Sequence, residues 1–159
     1  LTAHVQRRTS LSMTPPFVDP QEDTAQLAIA AIRDELDVFD DWMDRYQFII
    51  ECGRNLPPFP AEWMDDRHRV PGCQSQVWMQ STMVQGRMFL AGASDAAIVS
   101  GLVALLLRVY SGRTPTEIAQ TDPVFLTDMG LIAALSSNRG NGVASMADAI
   151  RKAAAAQQK

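Results

Sequence analysis

The sequence predicts an α+β domain in which helices pack against one small antiparallel sheet of about three strands. Three observations predict it. Trp42, Tyr46, Ile49, Ile50 and Gly53 fall on one helical stripe. Met79, Ser81 and Met83 alternate with Gln80 and Thr82 ahead of Gln85-Gly86, the pattern of a half-buried strand entering a hairpin. The run Ala96 to Leu107 is apolar nearly all round, which demands a central helix. Helices, then strands, then helices is the α+β order.

Each element follows from local chemistry. Leu1 to Ser12 contains Arg7-Arg8 but neither the apolar core of a signal peptide nor the hydrophobic segment of a twin-arginine signal. Met13 is a candidate translation start, and the stretch to Pro20 is proline-rich. Residues 1–20 are therefore expected to be a disordered tail, and 21–159 a single domain. Gln21 to Phe39 is helical in composition, with Leu27, Ala31 and Leu36 at roughly helical spacing. Asp40 or Asp41 caps the next helix, and Leu56-Pro57-Pro58-Phe59-Pro60 ends it.

Arg67 to Gly86 reads as extended chain around a turn at Cys73, and Arg87 to Ala91 as the returning strand. Ser94 is expected to cap a helix over Asp95–Tyr110, with the Asp95 carboxylate in its first turn. Thr114-Pro115-Thr116-Glu117 is a capping box with proline at the first helical position. Asp122-Pro123 opens a short helix, and Asn138 to Gly142 reads as a polar loop. The last helix, from about Val143 to Ala155, turns Val143, Met146, Ala147, Ile150 and Ala154 inward.

Composition narrows the function. At 159 residues, 47% of them hydrophobic, the chain can build one core. A net charge of -4 argues against nucleic acid, which is bound through clustered Lys and Arg. No apolar run reaches the roughly 18 residues of a membrane span. Two cysteines make no disulfide framework, so a reducing, cytoplasmic setting is expected.

Among reactive groups, Cys73 stands out. It follows Gly72 on a turn and precedes the polar Gln74-Ser75-Gln76 and the apolar Val77-Trp78-Met79. Cys52, Cys73, His4 and His68 are all the thiols and imidazoles available, with no C-x-x-C pair, so no metal or cluster site is expected. A Cys–His hydrolase would pair Cys73 with His68, but five extended residues span about 16 Å. Sulfur exchange asks less: one presented thiol, with its rate set by thiolate fraction, nucleophilicity and access. Arg67, His68 and Arg69 supply positive charge upstream, and Val70, Pro71 and Trp78 are placed to shield a bound persulfide.

The other residues have plainer readings. Cys52 is packing at the edge of a helical stripe, and His68 is a solvated loop residue. Asp95 is a helix-start residue. Arg139 is either a loop charge or a partner contact. Trp78 is either core or an interface anchor. Gln74, Ser75 and Gln76 satisfy backbone groups of the turn.

Gly72-Cys73-Gln74-Ser75-Gln76-Val77-Trp78 resembles the signature of the SufE-type sulfur acceptors, which work with cysteine desulfurases in iron–sulfur cluster assembly. Weaker matches run collinearly from Asp41 to Ala153: Asp41-Trp42, Arg45-Tyr46, Ile49-Ile50-Glu51, Leu56-Pro57, Ser94-Asp95-Ala96-Ala97-Ile98-Val99, Gly101-Leu102, Thr114-Pro115, Leu135-Ser136, Arg139 and Gly142. The resemblance implies the fold shared with iron–sulfur scaffold proteins. It implies that Cys73 takes persulfide sulfur from a pyridoxal-phosphate-dependent desulfurase of SufS or CsdA type, stimulates that enzyme, and passes sulfur to a SufB-like scaffold. It also implies that Gly72, Gln74, Ser75, Gln76, Trp78, Asp95 and Arg139 form the contact surface. No cofactor is expected on the chain itself: its only lysines, Lys152 and Lys159, lie at the C-terminal end. A monomer or weak homodimer is expected. Two alternatives stay open, a non-catalytic desulfurase regulator with an incidental thiol and a Cys73–His68 thiol hydrolase.

Overall fold

A two-residue turn sets the sheet. Gln85 and Gly86 both take positive φ, 52° and 79°, the geometry of a type I′ turn, whose twist matches that of paired strands. It joins strand β1 (Val77–Val84) to β2 (Arg87–Ser94) in a register running from Val84↔Arg87 to Val77↔Ser94. The computed structural model describes residues 15–72, 75–133 and 137–158, with backbone alone over 137–141. Its helices are α1 (Ala25–Asp37), α2 (Trp42–Arg54), α3 (Ala97–Tyr110), α4 (Pro115–Gln120), α5 (Phe125–Asp128) and α6 (Ser137–Gln157), with a 3-10 turn at Ala61–Trp63.

The α+β class holds, with two strands among the described residues where about three were expected. The third is reduced to single bridges on either edge, Arg69↔Trp78 outside β1 and Met88↔Arg113 outside β2. Outside β1, Met79 N–H donates to the His68 carbonyl and Val70 N–H to the Val77 carbonyl, both at 2.8 Å. Pro71, with no N–H to donate, follows at once and ends the pairing.

Residues before 21 are also part of the sheet's surroundings. Val18 N–H donates to the Leu90 carbonyl at 2.9 Å, Ser111 Oγ donates to the Val18 carbonyl at 2.6 Å, and Phe17 lies 6.0 Å from the Trp63 ring. Phe17 and Val18, expected in a disordered tail, are instead packed on the fold, because Val18 satisfies the outer edge of β2. Residues 1–14 of that tail lie outside the described residues.

α3 is the central helix the composition demanded, with Leu102, Val103, Leu106, Leu107 and Tyr110 all buried. α2 crosses it where Gly53 meets Gly101: a Cβ on Gly53 would stand 2.6 Å from the Gly101 nitrogen, and one on Gly101 would overlap the Ile49 carbonyl. Arg113, 1% exposed, seals the end of α3 by donating to the carbonyls of Val109, Arg108 and Glu22. A cation at a helix C-terminus is favourable. Arg108 joins α3 to the N-terminal region through Glu22 and Glu35, each at 2.7 Å.

Caps decide the helix starts. Thr24 accepts from Leu27 N–H, so α1 begins at Ala25 rather than Gln21. Its buried face is Ala28, Ile32 and Leu36, while Leu27 is 53% exposed. Asp41 caps α2 through Asp44 N–H, and Ile49 is the one fully buried member of the predicted stripe. Thr114 takes Glu117 N–H as the capping box requires, but the Glu117 carboxylate reaches across to Ala25 N–H at 2.7 Å. α6 has the predicted inner face, all five residues buried. It begins at Ser137, however, so Asn138–Gly142 is helix and not loop. Glycine's helix penalty of about 1 kcal/mol is outweighed there by burial of Gly142 and Val143.

Candidate functional site

The signature residues sit on a short loop between two hydrogen-bonded arms. Val70 and Val77 close it through the 2.8 Å bond between Val70 N–H and the Val77 carbonyl, leaving Pro71 to Gln76 as the loop. Cys73 and Gln74 lie outside the described residues; the frame around them is described. Pro71, Gly72 and Gln76 are exposed, and Ser75 is half-buried.

Gly72 has φ +84°, a conformation side chains disfavour. A Cβ there would stand 2.8 Å from Ser145 Oγ, so the loop rests directly on α6. On the exit side, Gln76 N–H donates to Asp95 Oδ1 at 3.1 Å. Asp95 N–H donates back to the Gln76 carbonyl at 3.3 Å. Asp95 is thus a loop clamp and not a first-turn residue. α3 begins two residues later, at Ala97, with no side-chain cap. The aspartate was drawn away because its carboxylate has an unpaired loop N–H to satisfy.

The remaining predicted residues separate. Trp78, implied as a contact residue, is 8% exposed; with Val70 at 4% it lies buried at the root of the loop. Pro71 is the exposed apolar neighbour. The Arg139 backbone is in α6, and its side chain lies outside the described residues, as do Leu135 and Ser136. Arg67 and Arg69 are exposed beside the loop.

His68 is not the solvated residue expected. Its side chain is 13% exposed. Nδ1 lies 2.7 Å from Asp65 Oδ1, Nε2 lies 2.9 Å from Gln80 Nε2, and the ring stacks on Trp63. Both ring nitrogens are engaged, which leaves no basic lone pair for a thiol. The hydrogen bonds to His68 hold the Asp65 carboxyl below its usual range. A pocket of about 190 Å³ opens beside this arm, lined by His68, Val70, Pro71, Met79, Ser81 and Ala149 among others.

Cys52 stands apart. It is half-buried on α2, lining a separate cleft of about 290 Å³ with Phe48, Glu35 and Arg108. Burial, then the Glu35 charge, push its thiol pKa up. Among the described residues no group of three or more His, Cys, Asp and Glu side chains is placed to hold a metal ion, and no helix is long and apolar enough to cross a membrane.

Sequence reasoning missed Asp65, Gln80 and Ser145. Asp65 had a local signal, an Asx turn three residues before His68. Gln80 and Ser145 had none, because their partners come from other parts of the chain.

The chain is similar to known proteins in sequence and in fold. Residues 30–154 match the family model described as "SufE: Fe-S metabolism associated domain". An uncharacterized SufE-like protein of Rhizobium etli is 43% identical over 129 residues, 77% of this chain and 86% of that one. An uncharacterized SufE-like protein of Rhizobium meliloti is 39% identical over 128 residues, 77% and 91% of the two chains. The solution structure of a hypothetical protein from Thermus thermophilus superposes with a TM-score of 0.67 at 18% identity, covering 80% of this chain and 93% of that one. That last likeness is one of fold.

Proposed function

Because the chain belongs to the SufE family, whose domain is associated with iron–sulfur metabolism, we propose that Cys73 is a sulfur acceptor serving a cysteine desulfurase. The Cys73 thiolate attacks the terminal sulfur of the persulfide on the desulfurase. The S–S bond of that persulfide breaks, the desulfurase cysteine leaves as a thiolate, and Cys73 carries Cys–S–S⁻. A second exchange hands the sulfur to a cluster-building scaffold of SufB type. Clearing its persulfide speeds the desulfurase, a SufS- or CsdA-like enzyme that supplies the pyridoxal phosphate. The chain acts as a carrier in a reducing cytoplasm, as a monomer or weak homodimer, and needs no cofactor of its own.

One observation carries this reading: the chain on either side of Cys73 is fixed, by close packing of Gly72 against Ser145 and by the hydrogen bond of Gln76 N–H to Asp95. The groups next to it in sequence, Pro71 and Gly72, are exposed. Held, exposed flanks suit thiol exchange, whose rate depends on access. Hydrolysis is disfavoured because His68, the one nearby base, commits both ring nitrogens to Asp65 and Gln80. Gln76, Asp95, Arg67 and Arg69 are exposed around the loop and form the docking rim.

Intact-protein mass spectrometry after mixing with a desulfurase and cysteine tests the proposal. Wild type and Cys52→Ser should each gain sulfur mass at one site, and Cys73→Ser should gain none. Equal gain by Cys73→Ser would remove the assignment. Desulfurase stimulation surviving in Cys73→Ser, with no sulfur taken up by wild type, would make the chain a non-catalytic regulator.

A further inference from the structure

The root of the cysteine loop holds a hydrogen-bond chain that sulfur exchange itself does not call for. Ser81 N–H donates to Gln80 Oε1 at 2.9 Å, which fixes the orientation of that amide. Its NH₂ end therefore faces His68 Nε2 at 2.9 Å. An amide nitrogen has no lone pair to offer, so Nε2 must accept. The ring proton then sits on Nδ1 and is donated to Asp65 Oδ1 at 2.7 Å. That same oxygen accepts the backbone N–H groups of Arg67 and His68, both at 3.1 Å, so it is itself fixed. Trp63 stacks on the ring at 5.9 Å and 20°. The His68 carbonyl meanwhile takes Met79 N–H. Side chain and backbone of one residue, five before Cys73, thus both bind β1.

We propose that His68 is a positioning residue for the cysteine loop, held as the neutral Nδ1–H tautomer between Asp65 and Gln80 and released from Gln80 when the ring takes a second proton. Protonation would put an N–H on Nε2 directly against the Gln80 NH₂. Gln80 can turn its oxygen inward only by giving up Ser81 N–H. The charged groups facing the ring are few: the Asp65 carboxylate at Nδ1, with the Arg67 guanidinium 3.5 Å from its other oxygen. Arg69 is carried on the same arm, and β1 presents only Gln80. The acid form keeps the Asp65 bond, while the Gln80 bridge as it stands is broken.

The functional part rests on the sulfur-acceptor reading; the structural part does not, and the test separates them. Long-range proton–nitrogen NMR spectra of the full chain carrying His4→Gln leave His68 as the one imidazole. At about pH 8 they should show the Nδ1–H tautomer; an Nε2–H tautomer overturns the proposal. Amide-exchange protection at Val70 and Met79 should drop about five- to tenfold in Gln80→Leu, the effect of one lost hydrogen bond. Wild type should lose comparable protection on acidification. His68→Gln, whose oxygen still accepts from Gln80 but cannot be protonated, should not. Unchanged protection in Gln80→Leu, or the same acid loss in His68→Gln, overturns it. In sulfur uptake from the desulfurase, Gln80→Leu should raise KM about fivefold with kcat held, the mark of lost pre-organisation. A wild type that takes up no sulfur would end the acceptor reading and leave the NMR result to decide the positioning role.

Discussion

Asp95 Oδ1 accepts the backbone N–H of Gln76 at 3.1 Å, and Asp95 N–H returns a bond to the Gln76 carbonyl at 3.3 Å. This reciprocal pair fastens the exit of the cysteine loop to the turn before α3. The entry is fastened separately, by the Val70 to Val77 rung. A segment tied at both ends samples fewer conformations, so less ordering is left to be done when anything binds it.

Asp95→Ala deletes the side-chain half of that clasp. Because the pair is exposed, the stability cost should be small, about 0.5–1.5 kcal/mol. The local effect should be larger than the global one. Cys73 should react with iodoacetamide about two- to fivefold faster as the loop opens more often, while Asp95→Asn, which keeps an acceptor oxygen, should fall between. Identical alkylation rates in all three proteins would show that the clasp does not govern access to the thiol.

Gly72 meets two separate demands, a φ of +84° and the close approach of Ser145 Oγ. Gly72→Ala should therefore lose about 1–2 kcal/mol from the left-handed backbone alone, plus a steric cost against α6. Ser145→Gly in the Gly72→Ala background should recover the steric part and leave the backbone part. The double-mutant cycle, read by urea denaturation, should give a coupling of at least about 0.5 kcal/mol. Strict additivity would mean that the loop does not rest on α6 in solution.

What could be read from the sequence was mostly what is local. The Gln85-Gly86 turn, the Asp41 cap and the Thr114 cap each depend on residues within four positions, and each was found. The inner face of α6 followed from its spacing alone. Errors came where a distant partner overrode a local preference. Asp95 suits a helix start but serves the Gln76 N–H instead, and Glu117 leaves its capping box half-closed to reach Ala25. Gly142 suits a loop but is buried in a helix. His68 looked solvated because nothing nearby in sequence announces Trp63 stacking or the Gln80 amide. The family resemblance grouped Asp95 with the cysteine motif without revealing the hydrogen bonds that join them.

Cys52 offers a pH-dependent test that distinguishes the two thiols. Burial is the first cause of its raised pKa and the Glu35 charge the second; Arg108 opposes them. In the unfolded chain the same thiol ionises near the ordinary value, about 8.5. Below that pH both states are protonated, and the shift has no effect on stability. Above it the unfolded state has lost a proton that the native state keeps, so the native state binds more protons and stability falls as pH rises. Cys52→Ala removes this term, and the decline in denaturation midpoint between about pH 8.5 and about pH 10 should be shallower than in wild type. At neutral pH the protonated, half-buried Cys52 should be alkylated at least about tenfold more slowly than Cys73. Peptide mapping after brief iodoacetamide treatment reads both sites in one sample, and faster labelling of Cys52 would contradict the burial that assigns it a packing role.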